Sequence, residues 1–372
     1  MTAYSMANLR VGADKIRGFS LVELMVAITI GLLLLAGMTL IFANSSEANR
    51  ELQKTARQIE NGRFAIAMIS EDLRHAGFYG HLTVMPAAPT AFPDPCEIAS
   101  TANLISALAY PVQGYRTPDL ATAADLTAST CDDKNLLTAA NLKPGSDVLV
   151  IRRATTINLA ATDVAVLGEV YMQAGTVQAE VRFGNGAALG TSNATNNGSG
   201  GPSTLLLKDG TTPAPIRKLN VHVYFVAPCS VGSGANGICQ TGDDSIPTLK
   251  RLELLAEAGT TKMKLVPLVE GIEFLKLEYG VDTLPNVVSA VTGVIGDATV
   301  DAYTATPADW TTVIAAKVFV LSRNTDTTPG FLDDKSYALG TVAVPAFNDR
   351  TKRHVYSTQV HLMNPAGRRE IP

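Results

Sequence analysis

The sequence predicts an α+β chain in which one long N-terminal helix, apolar in its first half, packs on a mostly antiparallel β-sheet body with loop-rich insertions. Three observations carry that prediction. Residues 24–43 form twenty consecutive positions without a charge. An apolar stripe at helical spacing then continues to Ala76 without a proline after Glu47. From Asp147 onward, runs rich in β-branched and aromatic residues are set apart by Gly, Pro and Asn turns. With 372 residues, 46% apolar and 17% charged, the chain has the length and composition to bury a core and is not a disordered polymer.

The leader carries Arg10, Lys15 and Arg17 against Asp14. The apolar run behind it is long enough to span a bilayer as a helix, and the cationic leader would stay on the cytoplasmic side and send the rest across. A secretory signal removed after Ala43 is the competing reading, although such signals usually hold an apolar core of only about 7–15 residues. Glu23 interrupts the start of the run. A lone carboxylate near the bilayer centre costs about 2.5–3.5 kcal/mol, so Glu23 either sits shallow at the headgroups or meets a partner.

The helix should continue past the membrane. Between Glu47 and Ala76 there is no proline and one glycine, Gly62, while Leu52, Ile59, Ile66 and Leu73 recur every seven residues with Ala56 and Ile69 beside them. That stripe packs on the body or forms a free coiled coil. Residues 19–76 make 58 positions, roughly 87 Å of helix at 1.5 Å per residue. Gly31 and Gly37 read equally as bend points or as close-packing positions. Gly77 is placed to close the helix as a left-handed C-cap.

The segment Lys15-Ile16-Arg17-Gly18-Phe19-Ser20-Leu21-Val22-Glu23-Leu24-Met25-Val26-Ala27 resembles the class III signal of type IV prepilins and type II secretion pseudopilins. The resemblance implies a leader, 1–18, with the charges Lys15 and Arg17, cut on the cytoplasmic side after Gly18 by a prepilin peptidase. It implies Phe19 as the N-methylated mature terminus and Glu23 as the carboxylate that meets the terminal amine of a neighbouring subunit. Such a pairing would remove the cost of an unpaired buried charge. Residues 19–43 would then be the transmembrane and filament-core segment, 44–80 its amphipathic continuation, and 81–372 a periplasmic globular domain.

Within that body, 82–145 is rich in Ala, Thr, Pro and Asp and reads as a loop-rich insertion with a short helix or two. Strands are expected at 147–152, 165–171, 177–183, 219–225, 248–255, 271–279, 316–321 and 354–362, a short helix at 307–314, and a polar loop at 191–203. Three further stretches, Arg63 to Tyr79, Val269 to Asp282 and Arg353 to Asn364, resemble the PilW family of minor pilins, itself similar to the J-type minor pseudopilins. This implies a low-copy subunit of the inner membrane that joins other minor pilins and the major pilin at the inner-membrane assembly platform. It would prime filament growth and sit at or near the tip. A type II secretion pseudopilin and a membrane-anchored adhesin or binding module are the alternatives.

Four cysteines allow three pairings, and local spacing favours Cys96 with Cys131 and Cys229 with Cys239. A zinc site is the competing reading, against which stands the lack of a C-x-x-C or a nearby His pair. No catalytic motif is present, so neither an enzyme nor a cofactor is expected. Gly232 to Gly237 matches G-x-G-x-x-G only formally, lying between two cysteines, and reads as a loop. His222 and His361 are expected to face out of their strands. The pairs Asp243-Asp244 and Asp333-Asp334 read as solvated turns, with calcium as the lesser alternative. Asn193 and Asn197 fit a glycosylation acceptor pattern but read as loop residues. The net-acidic body, 82–372, lacks the clustered cations that a nucleic acid partner demands.

Overall fold

The computed structural model describes residues 18–126, 131, 136–190, 205–283 and 296–370. The chain divides into two units, Met1–Gln53 and Lys54–Pro372. Helix α1, Leu21–His75, runs through the described part of the first and opens the second. It ends as its sequence dictates: Gly77 adopts φ +71°, open to glycine at little cost, and its N–H donates to the Arg152 carbonyl at 2.9 Å.

The second unit holds α2 (Thr101–Ala107), a C-terminal α3 (Met363–Arg369) and thirteen strands among the described residues. These are β1 (Val112–Tyr115), β2 (Val148–Ala154), β3 (Val170–Ala174), β4 (Ala179–Phe183), β5 (Ile216–Ala227), β6 (Thr248–Glu257), β7 (Thr260–Glu270), β8 (Ile272–Val281), β9 (Ala302–Thr304), β10 (Val313–Arg323), β11 (Tyr337–Leu339), β12 (Val342–Val344) and β13 (Arg353–His361). They form two main sheets rather than one. The larger runs β1-β2-β5-β3-β4, with β6 on β5 and β7 on β6; the smaller runs β13-β10-β8-β9, and β11 and β12 make a separate hairpin. Every strand pairing is antiparallel.

Alternation along the central strands explains the layering. Leu149 and Ile151 on β2, with Tyr224 and Val226 on β5, join Ala65, Ile69 and Leu73 of α1 and the apolar residues of β8 and β10 in one core. Their neighbours Val148, Val150, Val221, Val223 and Phe225 point the other way, into a second core with Leu104, Leu108, Leu136 and Leu142. The loop-rich insertion is therefore a cover for the far face of the larger sheet. Its disulfide, Cys96–Cys131, lies in that core, as does Cys229–Cys239.

Several expectations need correction. The strand placed at 165–171 begins only at Val170; the preceding stretch is a loop whose Ala165 and Gly168 N–H groups donate to the Ala187 and Gly184 carbonyls. The helix expected at 307–314 shrinks to one 3₁₀ turn, Trp310–Thr312, because β10 captures the chain from Val313. Strand β7 was not anticipated, since Pro267 argues against a strand interior. It lies on the sheet edge, where the register shifts between Leu249 and Lys250 make room for it. The β6–β7 turn is Ala258-Gly259, both at positive φ, a tight hairpin without the usual Asn-Gly signal. Helix α3 forms although it contains Pro365 and Gly367, which argue against a helix in the sequence.

Only part of the seven-residue stripe on α1 is buried. Ile69 and Leu73 are in the core, but Leu52 and Ile59 are exposed, and the face that packs is Gln58, Gly62, Ala65, Ile69, Asp72 and Leu73. That face includes polar residues, which a search for apolar periodicity passes over.

Candidate assembly site

Gly18, Phe19 and Ser20 precede α1, and the Phe19 side chain is 85% exposed. Lys15 and Arg17 lie outside the described residues. Glu23 sits in the first turn, where a carboxylate meets the positive end of the helix dipole. Its Oε2 accepts the Ser20 N–H at 3.0 Å, while Ser20 Oγ accepts the Val22 N–H at 3.4 Å. This reciprocal arrangement is a capping box of the Ser20-x-x-Glu23 type. The carboxylate thus has one local partner, the Ser20 N–H. A carboxylate offers about four acceptor positions, so a single N–H leaves room for a cation from outside.

Behind the cap, the helix presents an 18-residue window of mean hydropathy 2.5, none of it buried, long and apolar enough to cross a membrane. Its polar side chains are satisfied inside the helix: Thr29 Oγ1 donates to the Met25 and Val26 carbonyls, and Thr39 Oγ1 to that of Leu35. Such bonds let hydroxyls sit in hydrocarbon without water. Gly31 and Gly37 have no neighbouring atom within 4 Å of where a Cβ would stand.

From Lys54 on, the helix is fastened to strands and loops by polar hooks. Lys54 Nζ donates to the Thr327 carbonyl at 3.0 Å, Gln58 Nε2 to those of Ser322 and Lys352 at 3.0 and 3.1 Å, and Asn61 Nδ2 to that of Glu270 at 3.0 Å. At Gly62 the approach is so close that a Cβ would lie 2.1 Å from the Tyr356 ring. The helix end is held in turn by α3: Asn364 Nδ2 donates to the Ala76 carbonyl at 3.1 Å and Arg368 to that of Gly77 at 2.9 Å. Carbonyls that a helix terminus leaves orphaned are thereby satisfied.

Asp72 is the densest hook. It is 5% exposed and accepts from Arg153 Nε at 2.7 Å, from the Tyr224 hydroxyl at 2.9 Å and from His222 Nδ1. Arg251 adds a bond to the same tyrosine at 3.0 Å. Burial alone would raise the Asp72 carboxyl, but the hydrogen bond and charge of His222, followed by those of Arg153, outweigh it and hold the group well below the usual carboxylate range. Burial, with the adjacent Asp72 charge, pushes the Tyr224 hydroxyl up. His222 therefore faces the helix, contrary to the outward orientation expected; the polar face it meets is α1 itself. Asp333 is also misread as a solvated turn. It is fully buried and accepts from Arg353 at 2.9 Å and from the Tyr337 hydroxyl at 2.6 Å.

The other candidate residues are structural. Asp243 and Asp244 accept backbone N–H groups of Ser233 and Gln240, and of Ser230, Val231 and Ile246, so they shape the loop closed by Cys229–Cys239 in which Gly232 to Gly237 lies. Among the described residues no group of three or more His, Cys, Asp or Glu is placed to hold a metal. Asn193 and Asn197 fall outside the described residues.

Comparison with known families agrees with both ends of this geometry. Residues 14–39 match the prokaryotic N-terminal methylation motif, and residues 223–364 match the type IV pilus-assembly protein W family, PilW. These two matches support a PilW-like type IV pilin with a prepilin-like signal. No curated protein and no solved structure matches it. The family match covers β6 to β13 and the last five residues of β5, and with them the hooks for Gln58 and Asn61. In this pilin the methylation motif ends inside the apolar half of α1.

Proposed function

We propose that this pilin is a minor subunit that primes assembly of a type IV pilus and resides at or near its tip. In this reading a prepilin peptidase cuts between Gly18 and Phe19 on the cytoplasmic side, and Phe19 becomes the N-methylated terminus. Residues 19–43 hold the subunit in the inner membrane with the body in the periplasm until it joins other minor pilins, and then the major pilin, at the assembly platform. The observation that carries the reading is Gly18-Phe19 followed by Glu23 at the head of an apolar, unburied helix within a matched methylation motif.

Glu23 has a definite task in this scheme. On extraction from lipid into a filament, a carboxylate without a counter-charge costs several kcal/mol, and the terminal amine of the adjoining subunit removes that cost by pairing with it. The local bond from Ser20 keeps the carboxylate oriented at the helix head beforehand. The polar hooks and the Asp72 cluster fix the body to residues 54–76, so that a body borne on this helix enters the assembly in one orientation.

The test is Glu23→Ala in the native host. Piliation should fall sharply while the processed subunit still accumulates in the membrane. Normal piliation with loss of adhesion alone would reject the assembly role in favour of a binding module.

A further inference from the structure

The disulfide Cys229–Cys239 has a neighbour that a purely structural crosslink does not need. Lys250, on β6, is 1% exposed, and its Nζ lies 3.9 Å from Cys229 Sγ and 3.7 Å from Cys239 Sγ. Among the described residues no carboxylate is in ion-pair contact with it; Asp243 and Asp244 act on it only at longer range, and burial pulls its basicity down. A buried ammonium whose nearest acceptors are two sulfur atoms is poorly matched to a disulfide, which is neutral and a weak acceptor. It is well matched to a thiolate. The backbone N–H of Cys229 adds a second donor, 3.2 Å from Cys239 Sγ.

The other requirement for exchange is access. Cys239, with Ala140, Pro228, Gln240 and Thr241, lines an open surface depression. Cys239, 5% exposed, is the sulfur on this side, and Lys250 Nζ is within 4 Å of both sulfurs.

We propose that Cys229–Cys239 is a thiol–disulfide exchange site for a dithiol reductant, with Lys250 as the cation that receives the departing thiolates. In the first step a thiolate of the dithiol attacks Cys239 Sγ. The S–S bond breaks, a mixed disulfide forms, and Cys229 leaves as a thiolate facing Lys250. In the second step the remaining thiolate of the dithiol attacks its own sulfur in the mixed disulfide and releases Cys239, stabilised by Lys250 and the Cys229 N–H. The dithiol is oxidised to a disulfide, the protein disulfide gains two electrons, and the two protons of the dithiol pass to the cysteines. Opening the bond leaves the turn between β5 and β6 held by the Asp243 and Asp244 hydrogen bonds alone.

The test uses the full-length protein in detergent at neutral pH, reduced with limiting dithiothreitol, quenched by alkylation and read by peptide mass spectrometry at both cysteine pairs. Lys250→Met should slow opening of Cys229–Cys239 at least tenfold relative to Cys96–Cys131 in the same molecules, and shift its equilibrium toward the disulfide by a similar factor. An unchanged ratio overturns the proposal. In the reduced native protein, the pH profile of iodoacetamide labelling should place Cys229 or Cys239 below the ordinary cysteine midpoint of about 8.5. Midpoints at or above that value for both would overturn the proposal without recourse to the variant.

Discussion

Asp72→Asn tests whether the polar cluster, and not the apolar stripe alone, fastens the stalk helix to the strands of the body. The substitution keeps size and shape but removes the charge that pairs with Arg153 beside His222. Breaking a buried ion pair by removing one partner costs about 3–5 kcal/mol. Arg153 keeps 21% of its side chain exposed and His222 11%, so water recovers part of the loss and the lower end of that range applies. With a urea slope of about 3 kcal/mol per M, the unfolding midpoint should fall by about 1 M. The reporter is built in: the chain has one tryptophan, and Trp310 is buried in the same core as Ile69 and Leu73. Its emission should shift to the red at the lower midpoint. A loss below about 1 kcal/mol would mean that the cluster is not what holds the helix, and the apolar contacts of Ala65, Ile69 and Leu73 suffice.

The same cluster sets an acid limit. Because the Asp72 carboxyl is depressed in the fold, its contribution is fully present well above the unfolded value near 3.8 and is lost as pH falls below it. Urea midpoints of the native protein should therefore drop steeply between about pH 4 and 2, and those of Asp72→Asn less so. Gly62→Ala gains roughly 1 kcal/mol of helix propensity but drives a Cβ into the Tyr356 ring, so a net loss of about 1–2 kcal/mol should appear in the same assay. Lys276→Met strands Asp147, its partner at 2.8 Å with both side chains 4% exposed, and should cost about 3–5 kcal/mol. Adding Asp147→Asn should restore at least half of that, as Asn still accepts the Leu277 N–H.

The helix, its end at Gly77 and the positions of most long strands were legible because each rests on local rules: charge-free length, absence of proline, a glycine at the left-handed cap, period-two alternation. The buried face of α1 was not legible in full. Gln58, Gly62 and Asp72 bury because strand carbonyls, a tyrosine ring and three cationic or hydroxyl donors wait for them, and those partners come from residues more than 80 positions away. The split into two sheets was hidden for a related reason, since alternation says which residues share a face and not which strands pair. Strand β7 and helix α3 contain residues that ordinarily argue against them, and only the sheet edge and the end of α1 make those places acceptable. Gly18, Phe19 and Glu23 stand out through resemblance to a known signal, while the Ser20–Glu23 cap is a local pattern of its own.

The central claim is that Phe19 begins the mature subunit and that the subunit enters a filament. The most direct measurement is the intact and N-terminal peptide mass of the protein from membranes and from sheared pili of its native host. The account predicts a chain that starts at N-methylated Phe19 and is present in trace amount in the pilus fraction. A chain starting at Asn44, or an uncleaved form beginning at Met1 and confined to membranes, would contradict it.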